Sequence, residues 1–127
     1  MQEKPDNLRH IRLQLAREKN HPQGDLAHGY DIVAPLTPDG HIDAQTFKTC
    51  KDICRVRRFR PDDTDAIGKL RHGPGGRWYF DYDDTKSTDD EAGFRFSEEK
   101  FDLGEYVSIQ EDDGIFHTFT VTKVEPV

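Results

Sequence analysis

Alternation of apolar and polar residues predicts that most of this chain is β-strand. In HIRLQLAR, residues 10–17, the side chains of Ile11, Leu13 and Leu15 share one face, and the residues between them are polar. Further strands are expected where β-branched and aromatic residues cluster, at 30–36, 55–60, 67–72, 78–82 and 94–96. Residues 104–127 predict a closing hairpin with Gly114 at its turn.

The segments between these strands are polar and contain turn-forming residues. Residues 18–29 predict a long loop with one proline and two glycines, and 62–66 predict a polar connection. TPDG at 37–40 is typical of a tight turn. Because proline cannot donate to a strand ladder, Pro35 favours a sheet edge or a bulge.

The stretch HGPGGRWYFDYD, residues 72–83, predicts a hairpin. A phosphate-binding loop needs its glycines before a helix N-terminus, but strand-forming aromatic residues follow them here. Alternation puts Trp78, Phe80 and Tyr82 on one face, which we expect to face the core. The other face carries Arg77, Tyr79 and an aspartate, a poor platform for stacking nucleic-acid bases.

One helix is predicted, at residues 43–54, with Asp43 as its N-cap. Phe47, Cys50 and Cys54 fall on one stripe at helical spacing. Eight strand candidates and one short helix indicate a mainly β fold (β or α+β), a small antiparallel β-barrel or sandwich. Its length of 127 residues fits a single domain, 1–127, in which we expect 1–8 to be disordered.

Charge is unevenly distributed along the chain. The net charge is −7, but residues 1–60 hold 11 Lys and Arg against 8 Asp and Glu, whereas the remaining residues hold 7 against 17. The two halves can pair within one chain or across a homodimer. An overall acidic protein makes nucleic acid an unlikely partner, because phosphate contacts usually come from a basic domain.

The residues that could bind a metal do not match a known spacing. The acidic run from Asp81 has Lys86 and Ala92 where an EF-hand needs glycine and glutamate. Cys50 and Cys54 would need two further zinc ligands from elsewhere, so we interpret them as small buried apolar residues. We therefore expect no metal and no cofactor. Two cysteines and no long apolar stretch predict a cytoplasmic protein with free thiols and no membrane partner.

Loops carry function more often than strands do, so the loop at 21–31 and the hairpin tip at 72–77 are the predicted sites. The candidate binding residues are His21, Asp25, His28, Asp31, His72, Arg77 and Tyr79. They favour a non-catalytic binding or interaction module for a small molecule or a protein partner. One alternative is an enzyme that gathers His28, Asp31, His72 or His117, although no catalytic motif supports it. However, His117 falls between Ile115 and Phe119, which is more typical of a core histidine whose hydrogen bonds are satisfied.

A second alternative is a weak RNA or phosphate contact through the basic strand at 55–60, with its four arginines.

Several stretches point together to a family, among them HGYDIVAPLTPDGHID, CRVRRFR, HGPGGRWYFDYD and GEYVSIQEDDGIFHTFTVTKVEPV. They resemble a family of small, uncharacterised proteobacterial proteins. The resemblance covers residues 10–127. It implies a bacterial, cytoplasmic, single-domain protein and assigns no role to any residue.

Overall fold

The computed structural model of the protein describes residues 4–18, 22–73, 77–82, 91–93, 96, 98–111 and 113–127, with the backbone alone at 91–93. The strands in this part of the chain are β1 (Leu8–Leu15), β2 (Asp25–Pro35), β3 (Arg55–Arg60), β4 (Asp63–His72), β5 (Trp78–Tyr82), β6 (Glu91–Gly93), β7 (Tyr106–Gln110) and β8 (Phe116–Pro126). Helix α1 (Ala44–Cys50) and a 3₁₀ turn (Lys51–Ile53) lie between β2 and β3. No described helix is long and apolar enough to cross a membrane.

The strands form a closed antiparallel barrel in which each strand pairs with the next and β8 pairs with β1. The mainly β prediction is confirmed, and of its two forms the barrel is the one adopted. Alternation along each strand builds the wall, because successive side chains point to opposite faces. On β1 the inward residues Ile11, Leu13 and Leu15 are buried, as predicted.

Two strands begin well before the predicted residue. Strand β2 begins at Asp25 and β4 at Asp63, so both polar segments contribute residues to strands. Polar residues can extend a strand where a neighbouring strand makes hydrogen bonds with their backbone groups, as β1 does with β2. Gly29 permits this pairing, because a Cβ there would collide with the carbonyl oxygen of Leu13. Pro35 lies at the end of β2, not at an edge, since a closed barrel has none.

The two ends of the barrel differ, and we name them by their content. At the helix end, α1 packs across the opening, and Phe47 meets Trp78 edge-on with ring centroids 4.9 Å apart. Asp43 caps α1 as predicted, accepting a hydrogen bond from the Thr46 amide at 3.1 Å. The helix is shorter than predicted, because it tightens into the 3₁₀ turn after Cys50. The opposite opening, the polar end, is formed by the ends of β1, β3, β5 and β7 and the starts of the other strands.

The cysteines lie at the helix end and behave as the apolar residues that we predicted. Cys50 and Cys54 are fully buried, with their sulfur atoms 3.8 Å apart. Burial raises the pKa of both thiols, which disfavours the reactive thiolate. Residues 4–7 also lie at this end. The Asn7 side chain donates to the Leu36 carbonyl at 3.0 Å, and β1 begins at Leu8, the last residue of the segment for which we expected disorder.

Candidate functional site

Polar side chains face into the barrel at the polar end. They follow the same alternation that buries the apolar residues: Val56 leads to Arg58 and Arg60 on β3, and Ile109 leads to Glu111 after β7. On β2, His28 precedes the buried Tyr30, and on β8, His117 precedes the buried Phe119. Among the described residues, the inward face of the wall is therefore apolar along most of the barrel and becomes polar at this end.

Glu111 is the centre of this group, which we call the Glu111 cluster: Glu111, His28, Tyr30, Arg60 and His117. The Glu111 side chain is only 3% exposed. Its Oε2 accepts hydrogen bonds from the Tyr30 hydroxyl, from His28 Nε2 at 3.1 Å and from Arg60 Nη2 at 3.2 Å. His117 Nε2 lies 3.7 Å from Oε1. Three donors from β2 and β3 thus converge on one carboxylate, with His117 of β8 beside it.

These donors keep Glu111 charged. Burial on its own would raise the pKa of the carboxyl group, because it disfavours the ionised form. The hydrogen bonds from His28 and Tyr30, together with the charges of His28 and Arg60, outweigh burial and lower the pKa from 4.5 to about 2. A carboxylate is therefore present inside the barrel end over the whole physiological pH range.

Two further carboxylates hold His117 within this cluster. Glu18, just after β1, lies 2.9 Å from His117 Nδ1, and Asp113, between β7 and β8, lies 2.9 Å from Nε2. Because ionised carboxylates only accept hydrogen bonds, both ring nitrogens must donate, so the ring is an imidazolium. Burial opposes this charge, but the carboxylates outweigh it and raise the pKa of His117. The expected satisfied core histidine is thus present, with acidic partners.

Aromatic rings form the floor below the cluster. The Tyr30 ring contacts Phe119 edge-on at 5.2 Å and Phe80 at 5.3 Å between centroids. His28 also lies against Phe119, at 5.8 Å. Arg58 places its guanidinium carbon 5.2 Å from the centre of the Tyr82 ring. The site therefore combines a charged rim with an apolar base, as small-molecule sites commonly do.

The outer wall carries a separate ion-pair network around Asp31, a predicted site residue. Its carboxylate accepts hydrogen bonds from His10 at 2.8 Å, Arg12 at 2.9 Å and Arg57 at 3.1 Å. Burial raises the pKa of Asp31, but the three donors outweigh it and bring the pKa to about 2. Arg12 and Arg57 also flank the Phe59 ring, at 5.5 and 5.7 Å. Asp31 faces away from the interior, so it does not join His28.

Most of the other predicted site residues lie apart from the Glu111 cluster. His72, Arg77 and Tyr79 are at the helix end, where His72 stacks on Trp78 at 4.0 Å. The hairpin prediction there is confirmed, because β4 pairs with β5, and the Gly73 amide donates to the carbonyl of residue 77 at 2.7 Å.

At the polar end, Asp25 accepts a hydrogen bond from the Ala27 amide at 2.9 Å, a local contact at the start of β2. His21 lies outside the described residues, as do residues 94–95 and most of the acidic run that starts at Asp81. Of the six predicted residues that the structure describes, only His28 therefore lies in the Glu111 cluster. The four residues of the enzyme alternative are likewise divided, since only His28 and His117 meet.

The basic strand does not present its arginines on one surface. Arg55 and Arg57 face outward, whereas Arg58 and Arg60 face the interior. In the described part of the chain, no group of three or more His, Cys, Asp or Glu side chains is arranged to hold a metal ion. Around Glu111, the positions next to the carboxylate are taken by Arg60 and by the Tyr30 hydroxyl, which donate hydrogen bonds.

A groove of about 530 Å³ lies on the outside of the barrel. Its walls include the exposed side chains of Leu26 and Tyr106, and three threonines of β8 also line it. Because these residues alternate with the buried ones of β7 and β8, the groove is separated from the Glu111 cluster by the barrel wall.

Comparison with other proteins adds no relative: no protein-family model, curated protein or solved structure matches this chain. The resemblance to a bacterial family therefore stays a prediction. The functional interpretation depends on the geometry of the chain itself.

Proposed function

We propose that the protein is a small-molecule-binding module and that the polar end of the barrel, around the Glu111 cluster, is its binding site. The observation that supports this most is the buried carboxylate of Glu111, held by three donors from two strands, β2 and β3. The mouth of a β-barrel is a common place for small-molecule sites.

The energetics of the Glu111 cluster argue for a role other than stability. Removing charged groups from water is costly, and well-packed apolar residues of similar volume often stabilise a protein as much or more. At the helix end the chain uses such packing, with Phe47, Trp78 and Phe96 buried. A polar interior at the other end is the expected arrangement if those groups recognise a ligand.

Two arginines of β3 provide the test. Arg60→Gln weakens the polar end, and Arg57→Gln, three residues away, removes a similar ion pair on the outer wall. Wild type, these two variants and Tyr106→Ala, which changes the outer groove, would be melted with a panel of organic anions, amines, sugars and nucleotides. At about 100 times its Kd, a ligand adds about 2.7 kcal/mol, a shift of several degrees for a domain of this size.

We expect a ligand whose shift is lost in Arg60→Gln and kept in Arg57→Gln. A shift lost only in Tyr106→Ala would move the site to the outer groove and overturn the proposal. No shift with any compound would also count against a small-molecule module, and a search for a protein partner would follow.

A further inference from the structure

The Glu111 cluster has the form of a site for a carboxylate group. The Tyr30 hydroxyl, His28 Nε2 and Arg60 Nη2 all donate to Glu111, the last two at 3.1 and 3.2 Å. Donors arranged in this way recognise a carboxylate by its charge and geometry, whichever molecule carries it. These three donors therefore form a carboxylate-binding site, and the side chain of Glu111 occupies it.

The three donors and Glu111 lie on different parts of the fold. Tyr30 and His28 lie within β2, and Arg60 is the last residue of β3, so the barrel wall fixes the backbone of all three donors. Glu111 lies beyond the last residue of β7, where the chain turns towards β8, and its side chain has three rotatable bonds. The neighbouring Asp113 and Ile115 are exposed, so solvent lies close to the turn. A rotation of one side chain would therefore empty the site while the donors stay in place.

We propose that the ligand of the polar end is a small organic carboxylate, which displaces the Glu111 side chain and binds Tyr30, His28 and Arg60 in its place. This inference rests on the proposed function and names its ligand class. The aromatic floor of Phe80 and Phe119 suits the apolar part of such a molecule. Glu111 then acts as an internal competitor, and the ligand's apparent affinity falls by the fraction of time that Glu111 occupies the donors.

Glu111→Ala, with sodium acetate as the probe, tests this. The variant lacks the internal carboxylate but keeps all the donors. We expect its melting temperature to rise by several degrees and to saturate as acetate replaces chloride at matched ionic strength. Wild type should show a much smaller rise, because Glu111 already fills the site. If Glu111→Ala is unfolded in chloride, acetate should restore its near-ultraviolet circular dichroism.

Two control variants separate a built site from a general effect of anions. Tyr30→Phe combined with Glu111→Ala should lose most of the acetate response, because one donor is missing. Asp31→Ala removes a carboxylate from a comparable set of cations on the outer wall, where water can replace it, so its response should be weak. An equal response in Asp31→Ala, or none in Glu111→Ala, overturns the inference.

The outcomes also separate this inference from the proposed function. If the wild-type panel yields an amine or a sugar whose binding needs Arg60, the polar end is a binding site, but its ligand is not a carboxylate. If acetate binds Glu111→Ala and no compound binds wild type, the donors accept a carboxylate, but the proposed function fails and displacement of Glu111 fails with it. A carboxylate found in the panel should bind Glu111→Ala at least tenfold more tightly than wild type, and equal affinity would overturn displacement.

Discussion

The two ends of the barrel close the same cylinder with opposite chemistry. At the helix end, α1 and rings such as Phe47, Trp78 and Phe101 fill the opening without charged partners among the described inward residues. At the polar end, Glu111 sits inside the wall with Arg60 and His28 around it. Apolar packing stabilises by excluding water, whereas a buried ion pair must first repay the desolvation of its charges. The first end suits stability, and the second suits recognition.

Trp78→Ala should give the largest loss of stability and should affect only the helix end. Trp78 is buried against Phe47 and His72, and truncating an aromatic side chain in a packed core costs about 3–5 kcal/mol. Urea unfolding at pH 7 measures it. Ile67→Ala on the outer wall is the control, and we expect it to cost well under half as much because Ile67 is half exposed. Similar losses in the two variants would contradict a core that depends on the helix end.

Glu111→Gln should give the next largest effect, and this effect should depend on pH. The folded-state pKa of Glu111 is about 2 and its ordinary value is 4.5, so its charge stabilises the fold above pH 4.5. This contribution is lost as the pH falls from 4.5 through 2, and it is on the order of 3 kcal/mol.

Unfolding measured from pH 7 down to pH 2 checks this prediction. The difference between wild type and Glu111→Gln should shrink as the pH falls through that window. Asp31→Asn is the matched variant on the outer wall, because the pKa of Asp31 is also lowered to about 2. Asp31→Asn should keep the pH-dependent loss of stability that Glu111 causes and should lack only the one that Asp31 causes. A constant difference between wild type and Glu111→Gln at all pH values would mean that Glu111 is not held as a charged group.

Alternation predicted the walls of the barrel because it has a period of two wherever one face is buried. Leu13 on β1 and Phe80 on β5 could therefore be assigned to the core from the sequence. The same period also carried a signal for the polar end. Arg58 and Arg60 share the parity of Val56, and Glu111 shares that of Ile109. The same parity therefore places these charged residues at the strand ends on the inward face.

Parity alone could not have assembled the site. His28 and Glu111 are 83 residues apart, and only closure of β8 against β1 brings their strands to one opening. Predictions based on loops favoured Asp31, which lies on a strand and faces outward. A sequence pattern gives the face of each residue, but the order of the strands around the barrel decides which residues meet.

His117→Gln should have a smaller effect, with the opposite dependence on pH. Its partners Glu18, Asp113 and Glu111 raise the pKa above 6.5, so the imidazolium stabilises the fold fully below pH 6.5. That contribution is lost as the pH rises through the folded-state pKa. Wild type should be more stable than the variant by about 1 kcal/mol at pH 6, and the difference should close at higher pH. Thermal melts from pH 6 to 9 measure it, and a difference that grows with pH would contradict the assignment.

Arg57→Gln should have the smallest effect, and it sharpens the comparison between the interior and the outer wall. Asp31 keeps Arg12 and His10 when Arg57 is removed, and the Arg57 side chain is 42% exposed, so water can solvate what remains. We expect a loss of about 0.5 kcal/mol, within the range of surface ion pairs. Arg60→Gln in the same strand should lose at least twice as much stability, because Glu111 has little access to water.

Urea unfolding of both variants in low and high salt tests this difference between the interior and the outer wall. Salt should reduce the loss of stability in Arg57→Gln and leave the loss in Arg60→Gln nearly unchanged, since screening acts mainly on exposed charges. Equal salt dependence would mean that the polar end is as open to solvent as the outer wall.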